Sequence, residues 1–460
     1  MIVPTSRLLW AVAWVVLPFA TVAALSPDSL LMAGLLIGIL MACALLDAVL
    51  AFGSLDEVMI ELPPVVRLSK DREGAVEILV RNPARRERLV RLGLPFPREF
   101  RLPQEDLLAA LPAREELSRV TWKCTPSRRG NYMLDKCYLE GASPWGLWAV
   151  RAARAVQCEL RVYPNLMTER RNVAALFLSR GNFGIHALRQ VGKGRDFEKL
   201  REYIPGDSYD DVHWKATAKR GHPVTKVFQV ERTQEVYVII DASRLSARET
   251  VKPGKPVAVS AGAPEAEAPV EEATVLERFI TSALVLGFAA EQQGDLFGLV
   301  TFSDRVHKFV RAKSGQSHYA ACRDALYTLH PRTVTPDFDE LCSFIRLRLR
   351  RRALLVFLTA LDDPVLAESF VRNLDLIHRQ HLILVNMVEP AGAKPLFSNA
   401  NVQTTDDIYR ELGGHVRWHN LRELDKVLQR RGIKFSLLEN ERLSAQLVTQ
   451  YLNVKRRQLL

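Results

Sequence analysis

The stretch EVYVIIDASRLS, residues 235–246, is a run of β-branched and aromatic residues that ends on an aspartate and a polar turn. A continuous apolar run of this length marks a strand buried on both faces, the kind found in parallel sheets covered by helices. Towards the C terminus the texture repeats. Residues 274–293 have helical periodicity, DLFGLVTFSD (295–304) reads as a strand, and HKFVRA (307–312) reads as a neighbour to it. Helical stretches at 318–329 and 338–351 lead into a second buried strand, ALLVFLTAL (353–361). A helix (366–380), the strand LILVNMVE (382–389), a further helix, the short strand IKFSLL (433–438) and a terminal helix complete the chain. Strands alternating with helices predict a doubly wound α/β domain over 233–460. The segment 251–273, rich in Pro, Ala, Gly and Glu, reads as a mobile insertion after the first strand.

Towards the N terminus the reading changes. Residues 166–232 are polar and irregular and form a connector. Residues 56–165 hold short stretches such as EVMIELPPVVRL (57–68) and GAVEILVRNP (74–83), which alternate apolar and polar residues and stop at Pro, Gly or Asn. That pattern predicts a β-sandwich. Residues 1–55 differ again. Arg7, Asp28 and Asp47 are the only charged residues before Gly53. Two apolar runs, about 8–27 and 30–52, are separated by the turn-forming Ser26–Ser29. Each approaches the ~20 residues needed to cross a bilayer, so a transmembrane helical hairpin is expected, with Asp47 at a membrane face. The first run could also be a cleaved signal peptide, but the second run follows too closely for that reading to lead. The 460 residues carry a net charge of +11, nearly all of it after the hairpin. By the positive-inside rule both ends lie in the cytoplasm. The multi-domain expectation is thus a hairpin, a sandwich, a connector and an α/β domain.

Composition excludes several classes. Hydrophobic residues at 48% and charged residues at 25% fit a globular body. The cysteines at 43, 124, 137, 158, 322 and 342 form no C-x-x-C pair, so neither a zinc pattern nor a disulfide framework is present. No G-x-S-x-G, H-E-x-x-H or phosphate-loop motif occurs. The basic residues are dispersed and lack interleaved aromatics, so no nucleic acid is expected; a nearby membrane lipid surface explains the charge as well.

The remaining signal lies at 194–220. It resembles the signature of a bacterial membrane-protein family called domain of unknown function fifty-eight. Gly194, Phe197, Leu200, Arg201, Tyr203, Gly206, Asp207, His213, Trp214 and Ala218 match that signature, with Asp196, Val212 and Lys219 as close substitutes. Asp210 stands where an arginine is usual. RRGNYML (128–134), SPWGLW (143–148) and LVTQYLNVKRRQLL (447–460) resemble further family elements, with Ser143 in place of an aspartate. The resemblance implies a von Willebrand factor A-like α/β domain and a MoxR-type AAA+ ATPase as partner, in the assembly or maturation of other proteins at the inner membrane. It implies no reaction and no cofactor. The signature residues are expected to form a structural clamp or a partner surface, with Trp214 buried and Arg201 or Lys215 paired to Asp207, Asp210 or Asp211. Asp241 and Ser243 match the start of the D-x-S-x-S metal motif of such domains, but Leu245 replaces the second serine, and Thr359 stands where a second carboxylate is expected. A non-enzymatic interaction protein is therefore the leading expectation. A divalent-metal-dependent adhesion or enzyme module at Asp241 and Ser243 is the alternative.

Overall fold

The computed structural model describes residues 1–25, 30–83, 87–113, 115–167, 169, 191–205, 207–229, 234–251, 272–396, 398 and 404–457. It divides into two units, Met1–Asn165 and Leu166–Leu460.

The first unit contains two sheets around one apolar core. One runs β1 (Ile2–Pro4), β10 (Trp148–Tyr163), β9 (Gly130–Ala142), β5 (Arg88–Gly93), β7 (Leu107–Leu111), with β3 (Val65–Ser69) also on β10. The other runs β2 (Met59–Glu61), β4 (Gly74–Arg81), β8 (Leu117–Pro126), β6 (Phe100–Arg101). Alternation decides which side chains face inward: Val76, Ile78 and Val80 of β4 meet Val90 and Leu92 of β5 and Leu139 of β9 in the shared core.

Between β1 and β2 the chain is helical. Helices Ser6–Ala11 and Leu17–Leu25 are joined by a π turn, Val12–Val16. Pro18 has no N–H to close on Trp14, and the turn before it widens. The helix Leu30–Ala51 follows. Among the described residues one helix, Leu31–Ala51, is long and apolar enough to cross a membrane, and the Ser6–Val22 stretch is shorter.

Asp47 departs from the sequence reading of an interfacial helix end. It is fully buried against the β-layer. Its Oδ2 accepts from Ser143 Oγ at 2.5 Å and from the Leu147 N–H at 3.2 Å, and Oδ1 accepts from the Trp145 N–H at 3.0 Å. Trp148 Nε1 donates to Ala44 O at 2.7 Å. The SPWGLW turn therefore closes as a collar on the last turns of the helix. Gly146 in that turn has φ +73°, and a Cβ there would come within 2.8 Å of Arg7 Nη1.

In the second unit β11 (Val191–Glu202) pairs antiparallel with β12 (Val224–Gln229), where the sequence suggested an irregular connector. A six-stranded sheet follows in the order β17 (Val306–Lys313), β16 (Leu296–Phe302), β13 (Glu235–Asp241), β18 (Leu354–Leu358), β19 (Leu382–Val388), β20 (Lys434–Leu438). All its pairings are parallel except that of β17 with β16. Helices Val275–Gln292 and Leu443–Arg456 cover the face carrying Val236, Val238 and Ile240. Helices Phe338–Arg348, Pro364–Leu374 and Thr405–Arg430 cover the face carrying Tyr237, Ile239 and Phe357. β14 (Glu249–Val251) and β15 (Glu272–Thr274) pair with each other and flank the expected insertion; residues 252–271 of that insertion lie outside the described residues.

The terminal helix is fastened by a buried polar group. Asp295 accepts from the Tyr451 hydroxyl, from Lys455 Nζ at 2.8 Å and from the Gln234 N–H at 3.2 Å. All six cysteines carry free thiols. Burial pushes the Cys137, Cys322 and Cys342 thiols up to about 12, which keeps them protonated and unreactive.

Candidate functional site

The signature segment folds as a ladder with a short helix set into it. Arg201 lies near the end of β11, and its Nη2 donates to Asp207 Oδ1 at 2.7 Å. The Ile204 N–H donates to Asp207 Oδ2 at 3.1 Å, and the Asp207 N–H closes a turn on Ile204 O at 3.0 Å. The Ile204 N–H first, then the Arg201 guanidinium, hold the Asp207 carboxyl below the usual carboxylate range. His213 caps the helix Trp214–Arg220: its Nδ1 accepts from the Ala216 N–H at 3.0 Å, while its own N–H donates to Val224 O at 2.8 Å. Gly221, with φ +72°, ends the helix. Arg201, Tyr203, Asp207, His213 and Trp214 are thus brought into one structural unit. Gly194 and Phe197 lie on β11 with only their backbone described, and Gly206 lies outside the described residues.

Trp214 corrects an expectation. It is 68% exposed, not buried. It is the first residue of its helix, and the buried positions beside it belong to Val212, Val224 and Thr225. Tyr209 is 75% exposed and Ile204 is exposed too. The Tyr203 and Tyr209 rings lie 6.1 Å apart. Bonded backbone therefore carries solvent-facing aromatic side chains.

Asp241 ends β13, at the carboxyl edge of the sheet. It is fully buried. Oδ1 accepts from the Ser243 N–H at 2.8 Å, and Oδ2 accepts from Thr359 Oγ1 at 2.7 Å. Ser243 caps the 3-10 turn Arg244–Ala247, Leu245 is packed in the core, and Ser246 Oγ donates to Ser243 O at 2.8 Å. Asp362 pairs with Arg248 at 2.6 Å, and Asp363 caps the helix Pro364–Leu374. A hard divalent cation needs about six or more oxygens converging on one point. Here both carboxylate oxygens of Asp241 already accept protein donors, and among the described residues no group of three or more His, Cys, Asp or Glu side chains is placed to hold an ion. The residues present do not fit a metal ion.

Burial raises the Asp241 pKa, offset only in part by Thr359 and Ser243. A carboxyl with a raised folded pKa stabilises the fold below its unfolded value and loses that contribution as pH rises through the folded value. Asp241→Asn keeps an acceptor for Ser243 and turns a donor towards Thr359. The variant is expected to be more stable than the parent by on the order of 1 kcal/mol at neutral pH. The gain should vanish towards pH 4, as followed by thermal melts across the pH range.

One pair escaped the sequence reading. Ser303 Oγ lies 2.6 Å from His307 Nε2 and donates to Asp304 Oδ1 at 2.6 Å. The spacing SDRVH was the available signal. Ser303 is fully buried, so no substrate reaches its hydroxyl, and the pair fastens the β16–β17 hairpin.

Comparison with known proteins gives one family and several distant structural likenesses. No curated protein matches the chain. A conserved hypothetical protein, BatB, from Bacteroides thetaiotaomicron is 12% identical, over 48% of this chain and 99% of its own, with a TM-score of 0.28. An uncharacterized membrane spanning protein from Vibrio fischeri is 14% identical, over 48% of this chain and 98% of its own, with a TM-score of 0.18. Proximal thread matrix protein 1 from the mussel byssus is 12% identical, over 46% of this chain and 43% of its own, with a TM-score of 0.24. Likenesses this slight assign no activity. The family described as protein of unknown function DUF58 matches residues 199–263 and 270–406. These segments take in Arg201–Trp214 and the sheet from β13 to β19, and over them the chain matches that family's model.

Proposed function

We propose that the chain is a membrane-anchored, non-enzymatic docking protein. Its N-terminal helices cross the bacterial inner membrane twice, both ends stay in the cytoplasm, and the body receives other proteins. A MoxR-type AAA+ ATPase is the partner implied by the family resemblance, and assembly or maturation of client proteins is the process. The order of the six-stranded sheet, antiparallel only at β17, supports reading the second unit as von Willebrand A-like. The observation that carries the proposal is the exposure of Tyr209 and Trp214 on a backbone held by Asp207 and His213. Aromatic side chains presented on rigid backbone suit interface anchors, because little ordering remains to be done on binding.

Substituting Tyr209 and Trp214 together by alanine tests this. The variant should keep its circular dichroism and melting temperature. Capture of the ATPase from native membranes should weaken by about 2 kcal/mol, roughly thirty-fold. Undiminished capture by a folded double variant would refute the assignment of this surface.

A further inference from the structure

A cleft of about 490 Å3 opens at the edge of the α/β sheet opposite Asp241. There β13 begins, β17 ends and the helix Phe338–Arg348 gives way to the loop before β18. Its floor is apolar: Leu349 is buried, and Tyr237 stacks with Phe309, ring centroids 6.1 Å apart and planes at 16°. Four arginines line it around that floor, Arg311, Arg348, Arg350 and Arg351, the Arg348 guanidinium lying 5.9 Å over the Phe344 ring. One carboxylate, Glu235, faces them. It meets Arg351 Nη1 only at 3.9 Å and accepts a long 3.5 Å contact from the Tyr237 hydroxyl. The loop that bears two of the arginines is fixed from outside. Gln380 Nε2 donates to Leu349 O at 3.1 Å and to Arg350 O at 2.9 Å, and the Leu349 N–H donates to Ile345 O at 2.8 Å.

Cations in the last turn of a helix answer its terminal carbonyls, an effect equivalent to about half a charge. That accounts for Arg348 and leaves the other guanidiniums in excess of Glu235. We propose that the cleft binds a small molecule bearing a diphosphate group. Guanidinium forks match phosphate oxygens two by two. A diphosphate brings about three negative charges at neutral pH, enough to balance the surplus. The volume falls in the range of small-molecule sites, ~300–1,000 Å3. The stacked aromatic floor offers a face to an apolar or planar moiety attached to the phosphates, and Glu235 offers an acceptor to its hydroxyls. A soluble nucleotide and a phosphorylated lipid headgroup share this chemistry, and the two are separated by the test.

The test uses full-length protein in detergent micelles at about 0.15 M salt, where loose surface attraction is screened. Calorimetric titration with ADP and with inorganic pyrophosphate should give saturable binding, tighter for ADP. Arg311→Ala with Arg350→Ala should weaken it by roughly tenfold or more without moving the melting temperature. Arg410→Ala with Arg417→Ala, which removes equal charge from another helix, should leave it unchanged. Absence of saturable binding, equal loss in both double variants, or binding confined to vesicles of anionic phospholipid would overturn the assignment.

Discussion

Asp295→Ala is expected to cost about 3–5 kcal/mol of folding free energy, because it leaves Lys455 without its charge partner in a largely buried place. Asp295 is 1% exposed, and its carboxylate receives three donors from distant parts of the chain: Tyr451, Lys455 and Gln234. Alanine would leave the Tyr451 hydroxyl and the Gln234 N–H without this acceptor, and would leave Lys455 Nζ only its bond to Gln293 O at 2.8 Å. Burial first, then the Asp295 charge, holds the Tyr451 hydroxyl well above the ordinary tyrosine range, so it remains a donor throughout the stable pH range. Tyr451→Phe removes one donor and leaves the ion pair, and should cost only about 1 kcal/mol. Denaturant unfolding of the two variants side by side checks the ranking. An Asp295→Ala midpoint equal to that of Tyr451→Phe would show that the carboxylate does not fasten the terminal helix.

Asp47→Ala carries the second large effect. Ser143 Oγ and the N–H groups of Trp145 and Leu147 all converge on the Asp47 carboxylate. A buried donor left unmet costs about 1–3 kcal/mol and a part-buried one less, so with Ser143 buried and the two N–H groups part-buried a loss of about 2–3 kcal/mol is expected. The damage should be local. The turn 143–148 should become open to protease while the second unit melts as before, since Asp47 and Ser143 both belong to the first unit. Ser143→Asp should imitate the effect by setting two carboxylates against one another. A cleavage pattern identical to that of the parent protein would contradict this account of the collar.

The elements legible in the sequence are those whose pattern is local. The apolar run of β13 reads as a doubly covered strand because no polar residue interrupts it before Asp241. The helix Val275–Gln292 shows its apolar face within its own turns. What escaped depends on partners far along the chain. Asp47 meets Ser143 across 96 residues, and Thr359 meets Asp241 across 118. Nothing near Asp47 in sequence distinguishes a carboxylate at a membrane face from one seated in a β-layer. The strand β1 has three residues, too few for any alternation to be read. Trp214 misled because a large indole is ordinarily covered, whereas its place as the first residue of a two-turn helix turns it outward. The degenerate motif around Asp241 was legible as far as its missing ligands. That Thr359 donates to the carboxylate, filling the acceptor a cation would need, appears only in three dimensions.

The pairing of β1 with β10 has a topological consequence. Ile2–Pro4 are zipped to Trp148–Val150, and Asp47 returns the chain to the same layer. The apolar helices are therefore an excursion whose departure and landing points sit on one folded body. Such a loop pierces any intervening plane an even number of times. While β1 stays zipped, a lone passage through a bilayer is geometrically forbidden, and the short proline-bent stretch and the longer helix must enter or stay out together.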